Sequence, residues 1–518
     1  MKIFLDTIDK RAFFPPAILL VAAMVIGIFF PEQLAVAANA AFDFTTVNFG
    51  WFYAIGCTFL VIFTLWAGFS KYGNIRLGGE DAQPEMSFKT WFAIALTSGI
   101  AIGIVFYGIA EPLTNFISPP EFTGMESRSA DAAESALAYT FMNWAIHPYS
   151  IYTAAGICIA FMYYNGKQKY QLSSGLYPLI GEKANGSIGS WVNAIAIIAL
   201  VGGIGTSLGI GVLQAASGIN YVFDANFDFG MLYAVIIAFM VVIYVGAACT
   251  GLHKGIAIVS NLNVYVYAGL LIWAFIFGGS LFILNNTFTG IGKYLSMIVE
   301  QSFYLESAHD SGWISGNTIF YYAWWLSFAP MLGLFLIKLA KGRTIREFVL
   351  VNLVAPVTFT FIWFGIFGSS AINLELNGIS NISADIASHG IPVAMFAYVK
   401  NLPLSFIMVI LGFLAILFSF VTLAESQTLT IAEITCRQEK LKGEENSAPA
   451  SLKIFWGLLM GLMAFSLLQS GGINALQTAV IVCGLPILVL MLIMAAAYIK
   501  SMLKHEEYDK TLNKKDNV

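Results

Sequence analysis

Apolar runs long enough to cross a bilayer recur along the whole chain, separated by short polar segments. A membrane-spanning helix needs about 20 apolar residues. Such runs predict twelve transmembrane helices, at 13–31, 49–69, 88–112, 135–164, 187–217, 229–249, 256–284, 313–340, 348–371, 403–433, 453–469 and 473–500. The pattern therefore predicts an all-α polytopic membrane protein.

The eighth span lies in the segment 321–348, YYAWWLSFAPMLGLFLIKLAKGRTIREF. At about 100° per residue, four of its aromatic residues share an arc of about 100°: Tyr321, Trp324, Trp325 and Phe328. A wall of rings with no group ionisable near neutral pH suits a permanent cation, because the ring quadrupole attracts positive charge without a hydrogen bond. Quaternary ammonium is such a cation, although aromatic stripes in membrane helices also serve as packing or interface anchors.

The fourth span offers a second aromatic face, since Trp144, Tyr149 and Tyr152 fall within an arc of about 140°. Pro148 is expected to kink this helix and to free a carbonyl. Rings from spans four and eight could then form a cage around a trimethylammonium group. His147 is either a proton relay or a neutral histidine bonded to a neighbouring hydroxyl or backbone group.

Two spans carry interruptions at corresponding positions. Gly99, Ala101 and Gly103 can let span three unwind, and Pro330 follows Ser327 in span eight. Paired breaks of this kind point to an inverted-repeat transporter with a binding site near the midplane. Without further context, close helix packing at Gly99 and Gly103 is the stronger interpretation of the glycines.

The predicted divisions of the chain are five: a cytoplasmic N-terminus with two peripheral helices (1–87), a first five-helix repeat (88–284), an external amphipathic helix (285–312), a second five-helix repeat (313–500) and a short charged cytoplasmic tail (501–518). The external helix is expected within 286–305, and 373–390 is expected to be a polar loop with a short helix. The tail from residue 505 onward is expected to be disordered.

Composition and charge agree with this topology. Hydrophobic residues make up 58% of the 518 positions and charged residues only 11%. In the twelve-span topology, all but three of the 26 lysines and arginines lie on the N-terminal side, the exceptions being Arg128, Lys293 and Lys400. The positive-inside rule therefore predicts cytoplasmic termini and a multi-pass protein of the inner (plasma) membrane. The five cysteines have no metal spacing and predict no disulfide framework.

Two carboxylates fall within predicted spans. Glu425, in the tenth, must be paired, solvated or protonated. Glu111 lies near the outer end of span three, where hydration is easier. Thr422, near Glu425, is a candidate ligand for a hard cation through its hydroxyl. No Walker-type glycine loop is present, which disfavours ATP-driven transport by this chain.

The chain resembles the betaine/carnitine/choline transporter (BCCT) family over essentially all twelve spans. The resemblance is carried by GIAIGIVFYGIAEPL (99–113), NWAIHPYSIY (143–152), SNLNVYVYAGLLIW (260–273), YYAWWLSFAP (321–330) and KGRTIREF (341–348). It implies a leucine-transporter-type 5+5 inverted repeat with spans one and two outside the core. It also implies a homotrimer and secondary transport of substrates that bear a quaternary ammonium group.

The family's aromatic cage maps onto Trp144, Tyr149, Tyr152 and Trp325, with Trp324 and Phe328 lining the permeation path. Tyr149, Tyr322 and Phe328 depart from the usual tryptophan pattern and leave the exact substrate open. Proton-coupled members resemble the glycine segment but carry an aspartate there, where this chain has Gly103. The resemblance therefore argues against the choline/proton type.

Sodium-coupled members use a hydroxyl pair in span ten and threonines in span five. This chain keeps Thr422 but has Leu423 beside it, and Leu200 and Ile204 replace the threonines. Either one sodium site survives, built on Thr422, Ser419 and carbonyls near Gly99, or the protein exchanges substrates without a cation. Sodium is the preferred reading, and no other cofactor is expected.

The leading hypothesis is cation-coupled uptake of glycine betaine, choline, carnitine or a related osmolyte by alternating access. Alternatives are a carnitine-type exchanger, an amino-acid carrier on the same scaffold, and an osmotic sensor, which the short tails disfavour. A membrane enzyme built on His147 and Glu425 is a further alternative that lacks a nucleophile in sequence. The expected partners are the substrate, the lipid bilayer and further copies of the chain, and no nucleic acid.

Overall fold

The structure is a computed structural model that describes residues 6–98, 102–250, 253–309, 311–437, 440 and 447–512. Side chains are described throughout these ranges except at 93, 96–98 and 253–260. In these ranges the chain is helical, and its only extended pairings are isolated bridges such as Ile8 with Cys436. The predicted all-α fold is confirmed.

The first half of the chain forms ten helices in the described ranges. They are α1 (Lys10–Phe29), α2 (Pro31–Phe69), α3 (Phe88–Ser98), α4 (Ile102–Ile117), α5 (Ala130–Trp144), α6 (Ile146–Tyr164), α7 (Ser187–Val222), α8 (Phe229–Thr250), α9 (His253–Phe277) and α10 (Ser280–Phe303). Short turns of helix, such as Tyr177–Ile180, connect some of them.

The second half continues in the same way. Its longer helices are α11 (Phe320–Lys338), α12 (Ile345–Leu376), α13 (Ile382–His389), α14 (Ala394–Lys400), α15 (Ser405–Thr435), α16 (Ala450–Gly471) and α17 (Ile473–Leu503). A wider π turn precedes α11 at Ser315–Ile319 and another lies inside α12 at Leu350–Val354.

Ten described spans, counting α5 with α6 as one, are long and apolar enough to cross a membrane, or eleven if α9 and α10 count as one bent span. The third predicted span corresponds to α3 and α4, which flank residues 99–101 outside the described ranges. Each of these two helices is too short to pass on its own. The predicted number of twelve and the 5+5 repeat therefore stay predictions.

The bundle is organised around α11. Nearly every residue of this helix is buried, and it packs against α6, α17 and α7. By contrast, α1 and α8 bury only about a third of their apolar windows and lie at the periphery. Because α11 is enclosed on all sides, its aromatic residues face other helices and not lipid.

The helix α10 turns by 107° from α9 and packs along α5 and α12. It covers residues 286–303 of the segment 286–305, where an amphipathic helix was expected. The polar segment 373–390 holds the short helix α13 after the end of α12. Both elements lie on the side of the bundle away from the chain termini.

Both chain ends reach one side of the bundle, which we call the terminal face. The Asp9 amide donates to the Thr435 carbonyl at 2.9 Å. The Ser190 hydroxyl donates to Asp9 at 2.7 Å. Lys338, at the end of α11, pairs with Glu433 of α15 at 3.4 Å. The basic ends of several helices therefore meet here, as the charge census suggests.

The expectation of a disordered tail is wrong for residues 505–512. The Asn165 amide donates to the Asp509 carboxylate at 2.9 Å, and the Lys510 amide donates to the Asn165 carbonyl at 3.0 Å. Asn165 also donates to the Arg76 carbonyl at 3.1 Å. The short tail is therefore held against the loops that follow α2 and α6, because polar backbone there supplies partners that composition does not reveal.

Candidate functional site

The predicted kink in span four is a complete break between α5 and α6. Ala145, the residue between them, has φ −107° and ψ −108°, outside the helical region. Pro148 has no N–H, so the Trp144 carbonyl loses the donor it would have in an unbroken helix. The Thr360 hydroxyl of α12 donates to this carbonyl at 3.0 Å instead.

The break also joins span four to span eight. The indole N–H of Trp325 donates to the carbonyl of Asn143 at 2.9 Å. A carbonyl at membrane depth needs such a donor, because the hydrocarbon region offers no water. The broken helix thereby fixes the Trp325 ring beside Trp144.

The aromatic residues predicted for the cage lie together around Trp325. Its ring centroid is 5.3 Å from that of Trp144 with planes at 88°, 5.4 Å from Tyr152 at 73°, and 6.1 Å from Tyr149 at 47°. All four side chains are at most 7% exposed. Two of these contacts are edge-to-face, so the four side chains form one buried aromatic cluster at the position expected for the cage.

Glu111 holds one side of this cluster in place. Its carboxylate accepts hydrogen bonds from the Trp144 indole at 2.6 Å, the Tyr321 hydroxyl at 2.5 Å and the Asn143 amide at 2.7 Å. The side chain is 6% exposed, so the expected hydration of Glu111 is wrong. Donors from α5 and α11 take the place of water, and the carboxylate fixes the orientation of both rings.

Gly103 lies directly against the two indoles. A Cβ at this position would come within 2.7 Å of Trp324 Cη2 and 2.9 Å of Trp144 Cη2. The absence of a side chain at Gly103 therefore lets α4 approach both rings closely. Gly99 and Ala101, the other candidates in this segment, lie outside the described residues.

Trp324 and Phe328 continue the aromatic surface along α11. The Trp324 indole donates to the Ser207 hydroxyl of α7 at 3.2 Å. Phe328 also packs on α7, since a Cβ added at Gly203 of α7 would come within 2.9 Å of the Phe328 ring. The two residues assigned to the permeation path therefore line the contact between α11 and α7.

The candidate sodium ligands differ in their bonding. The Ser419 hydroxyl donates to the Ala415 carbonyl at 2.6 Å and lies within hydrogen-bonding distance of Asn263 and Tyr267. The Thr422 hydroxyl donates to the Phe418 carbonyl at 2.7 Å. The carbonyls near Gly99, which would complete the site, lie outside the described residues. The sodium site therefore stays a prediction.

His147 lies against a neighbouring hydroxyl, as in the structural alternative to a proton relay. Its Nε2 lies 3.0 Å from the Ser302 hydroxyl of α10, and its ring stacks on Tyr322 with centroids 5.3 Å apart. Glu425 instead faces a cavity formed with α8 and α16. The two residues proposed for an enzymatic alternative therefore do not share a site.

The sequence did not reveal the supporting residues. Glu111 was seen only as an acid near the end of a span, and Thr360 carried no signal in its own segment. A usable signal lies in the pairing of Pro148 with ring donors. A proline that frees carbonyls in a membrane helix requires donors from neighbouring helices, and indoles are such donors.

Comparison with known proteins gives a consistent result. The family model described as BCCT, betaine/carnitine/choline family transporter, matches residues 11–507. The glycine betaine transporter OpuD of Bacillus subtilis is 36% identical, over 96% of this chain and 94% of that protein. The ectoine/hydroxyectoine transporter of Virgibacillus pantothenticus is 34% identical, over 97% and 98%. The high-affinity choline transport protein of Escherichia coli is 31% identical, over 99% and 75%.

Proposed function

The chain belongs to the betaine/carnitine/choline family of transporters, and from that premise we propose that it takes up a quaternary ammonium osmolyte by alternating access. It is a multi-pass protein of the cell membrane, and it is a transporter and not an enzyme. The finer statements about substrate, coupling and assembly below belong to the proposal.

One observation carries the proposal: Trp325 packs against three other buried rings, those of Trp144, Tyr149 and Tyr152. Trp144 and Tyr152 stand steeply to its plane, with centroids 5.3 and 5.4 Å away. Each ring face within about 6 Å of a cation contributes roughly 0.5–2 kcal/mol, more as water is excluded. A trimethylammonium group is bound in this way without a proton or a metal.

A zwitterion such as glycine betaine suits the site better than choline. Gly103, in the first described turn of α4, contacts the rings of Trp144 and Trp324. We place the substrate carboxylate near the expected break at 99–103, because backbone amides at the start of a half-helix attract a carboxylate. This chain also lacks an aspartate at Gly103 that would complement a purely cationic substrate. The relatives named for glycine betaine and for ectoine transport point the same way.

For coupling, we favour sodium over exchange. Thr422 is half-buried and keeps its acceptor lone pairs, since the described residues show only the bond it donates to Phe418. Hydroxyl and carbonyl oxygens are suitable ligands for a hard cation. Termini in the cytoplasm and a homotrimeric assembly, both expected from the sequence, complete the proposal.

The test is uptake by purified protein in proteoliposomes, with labelled glycine betaine and choline and with or without an inward sodium gradient. Trp325→Ala should abolish saturable uptake, because it removes the ring shared by the cage. Trp191→Ala is the matched control, since this tryptophan on α7 is 51% exposed at the bundle surface. Normal uptake by the Trp325→Ala protein would refute the cage.

The same assay separates the alternatives. Unlabelled glycine betaine should compete with the labelled substrate, and glycine should not, because only the methylated nitrogen fits the rings. Equal competition by glycine would identify an amino-acid carrier. Uptake that needs internal substrate but no sodium would identify an exchanger.

A further inference from the structure

A polar cavity of about 360 Å³ lies at the terminal face, between α8, α15 and α16. None of its lining residues belongs to the aromatic cluster described above. Its polar lining comes from Thr250, Glu425, Glu433, Ser447 and Lys453. At about 30 Å³ per water molecule, this volume holds about a dozen waters or one small organic solute.

Glu425 supplies the first feature that points to a ligand. Its side chain is 2% exposed, and neither carboxylate oxygen has a hydrogen-bond donor among the described residues. An ionised carboxylate in such a place is costly unless something pairs with it. Glu425 therefore presents to the cavity a carboxyl group that has no hydrogen-bond donor among the described residues.

Lys453 supplies the second feature. This residue is 6% exposed, and its ammonium group donates to the Ala248 carbonyl at 2.9 Å. An ammonium group has three N–H donors, so two remain available. Lys453 and Glu425 line one cavity, yet in the described part of the chain they form no ion pair within 4.0 Å. The cavity is therefore lined by a buried carboxyl group and a buried ammonium group that do not pair with each other.

We propose that this cavity is a binding site for a small zwitterion, with its cationic end toward Glu425 and its carboxylate toward Lys453. A simple cation would satisfy Glu425 but would approach the Lys453 ammonium. A simple anion would satisfy Lys453 but would approach Glu425 and Glu433. Only a molecule with both charges complements both ends, and Glu433 already pairs with Lys338 at 3.4 Å.

The site goes beyond the proposed function because it is separate from the cage, although the choice of glycine betaine as a probe rests on that function. Glu425 follows Thr422 by three residues on α15, about one helical turn. The cavity therefore connects directly to the helix that carries the candidate sodium ligand. A ligand bound in this cavity would therefore contact α15, the helix that also carries Thr422.

The first experiment measures equilibrium binding of labelled glycine betaine to full-length protein in detergent. The unmodified protein should bind at two sites, and Trp325→Ala protein at one. Adding Lys453→Met or Glu425→Gln to Trp325→Ala should weaken the remaining site at least tenfold. No saturable binding to the Trp325→Ala protein, or no effect of either second substitution, would overturn the proposal.

Choline and acetate each test one end of the proposed site, choline the Glu425 end and acetate the Lys453 end. Each carries one of the two charges, so neither should bind the Trp325→Ala protein at concentrations that saturate glycine betaine. Choline binding that is insensitive to Lys453→Met would overturn the zwitterion assignment. If the cage fails instead, Trp325→Ala will not reduce the number of sites, whereas Lys453→Met will, so the two failures are distinguishable.

A second measurement does not depend on radioligand affinity. Cys249, a free cysteine, also lines the cavity and is only partly buried. Glycine betaine should slow its alkylation by a maleimide, followed by peptide mass spectrometry, and Lys453→Met should remove this protection. Alkylation that glycine betaine does not change in folded protein would contradict a ligand in the cavity.

Discussion

Glu111 and Glu425 are both carboxylates buried in the helices of the bundle, at 6% and 2% exposure. Glu111 accepts three hydrogen bonds, from Asn143, Trp144 and Tyr321. Glu425 accepts none from the residues that the structure describes. The same chemical group is therefore fully satisfied in one place and unsatisfied in the other.

The difference separates a positioning role from a binding role. A carboxylate with three short donors is rigid and orients those donors, here two rings of the aromatic cluster and the Asn143 amide. A buried carboxylate without donors awaits a partner, because burial makes an unpaired charge unfavourable. Substitutions at the two positions should therefore have opposite consequences.

The largest expected effect comes from Glu111→Ala. This change leaves the indole of Trp144, the hydroxyl of Tyr321 and the amide of Asn143 without their acceptor. Buried donors left unsatisfied cost about 1–3 kcal/mol each. We expect kcat/KM for glycine betaine uptake in proteoliposomes to fall at least about 100-fold.

Glu126→Ala is the matched control for that substitution. Glu126 is exposed in the loop before α5, and its removal should leave uptake unchanged. Size-exclusion chromatography of both variants establishes that they are folded. Wild-type kinetics for a folded Glu111→Ala protein would show that the hydrogen bonds to Glu111 do not position the rings.

Gly103→Ala tests the close approach of α4 to two of the indole rings. The added methyl would come within 2.7 Å of Trp324 Cη2 and 2.9 Å of Trp144 Cη2. Overpacking of this kind typically costs about 1–3 kcal/mol. We expect KM for glycine betaine to rise about tenfold. Gly246→Ala on α8 is the control, since a Cβ there meets nothing within 4 Å, and equal effects of both changes would rule out a specific clash.

The sequence predicted the faces of helices better than the contacts between them. Helical periodicity places Tyr149 and Tyr152 on one side of span four and Trp325 on one side of span eight. Pro148 also predicted a kink in span four, where the structure has the break between α5 and α6. These features depend only on residues close together in the chain, and the structure brings them together.

Features that depend on packing between distant segments were not predictable. The donors of Glu111 come from α5 and α11, and the environment of Glu425 is set by α8 and α16. The length of α2, which begins at Pro31 and not near residue 49, was also missed, because polar residues such as Glu32, Gln33 and Asp43 interrupt its first turns, which are not buried. Periodicity shows which face is apolar but does not tell which helix covers it.

Paired glutamine substitutions at the two carboxylates test their contrast in stability. Glu111→Gln keeps the side-chain shape but turns an amide toward groups that donate, so the apparent melting temperature in detergent should fall. Glu425→Gln removes an unpaired buried charge, and the melting temperature should stay equal or rise. An equal fall for both would mean that Glu425 has donors in solution and would remove the contrast.

The smallest effect concerns a third buried carboxylate, Asp509, which resembles Glu111 in its donors but lies at the water-facing terminal face. Burial acts to raise its pKa, but hydrogen bonds from His505, Thr511 and Asn165 outweigh burial and lower the pKa to about 2. Because the folded pKa is depressed, the ionised carboxylate stabilises the docked tail above the unfolded pKa, near 4, and this contribution is lost as the pH falls toward 2. Asp509→Asn should therefore speed hydrogen exchange of residues 505–512 about fivefold at pH 7, equivalent to about 1 kcal/mol.

For this tail variant, the exposed residue Glu506 provides the control, and Glu506→Gln should leave exchange unchanged. The difference between Asp509→Asn and the unmodified tail should shrink as the pH is lowered from 5 toward 2, because the native carboxylate then becomes protonated. A difference that persists unchanged at low pH would assign the docking to the backbone bond between Lys510 and Asn165 instead. Side-chain donors would then determine how much a buried carboxylate stabilises the protein only within the bundle, where Glu111 and Glu425 differ. At the solvated terminal face they would not.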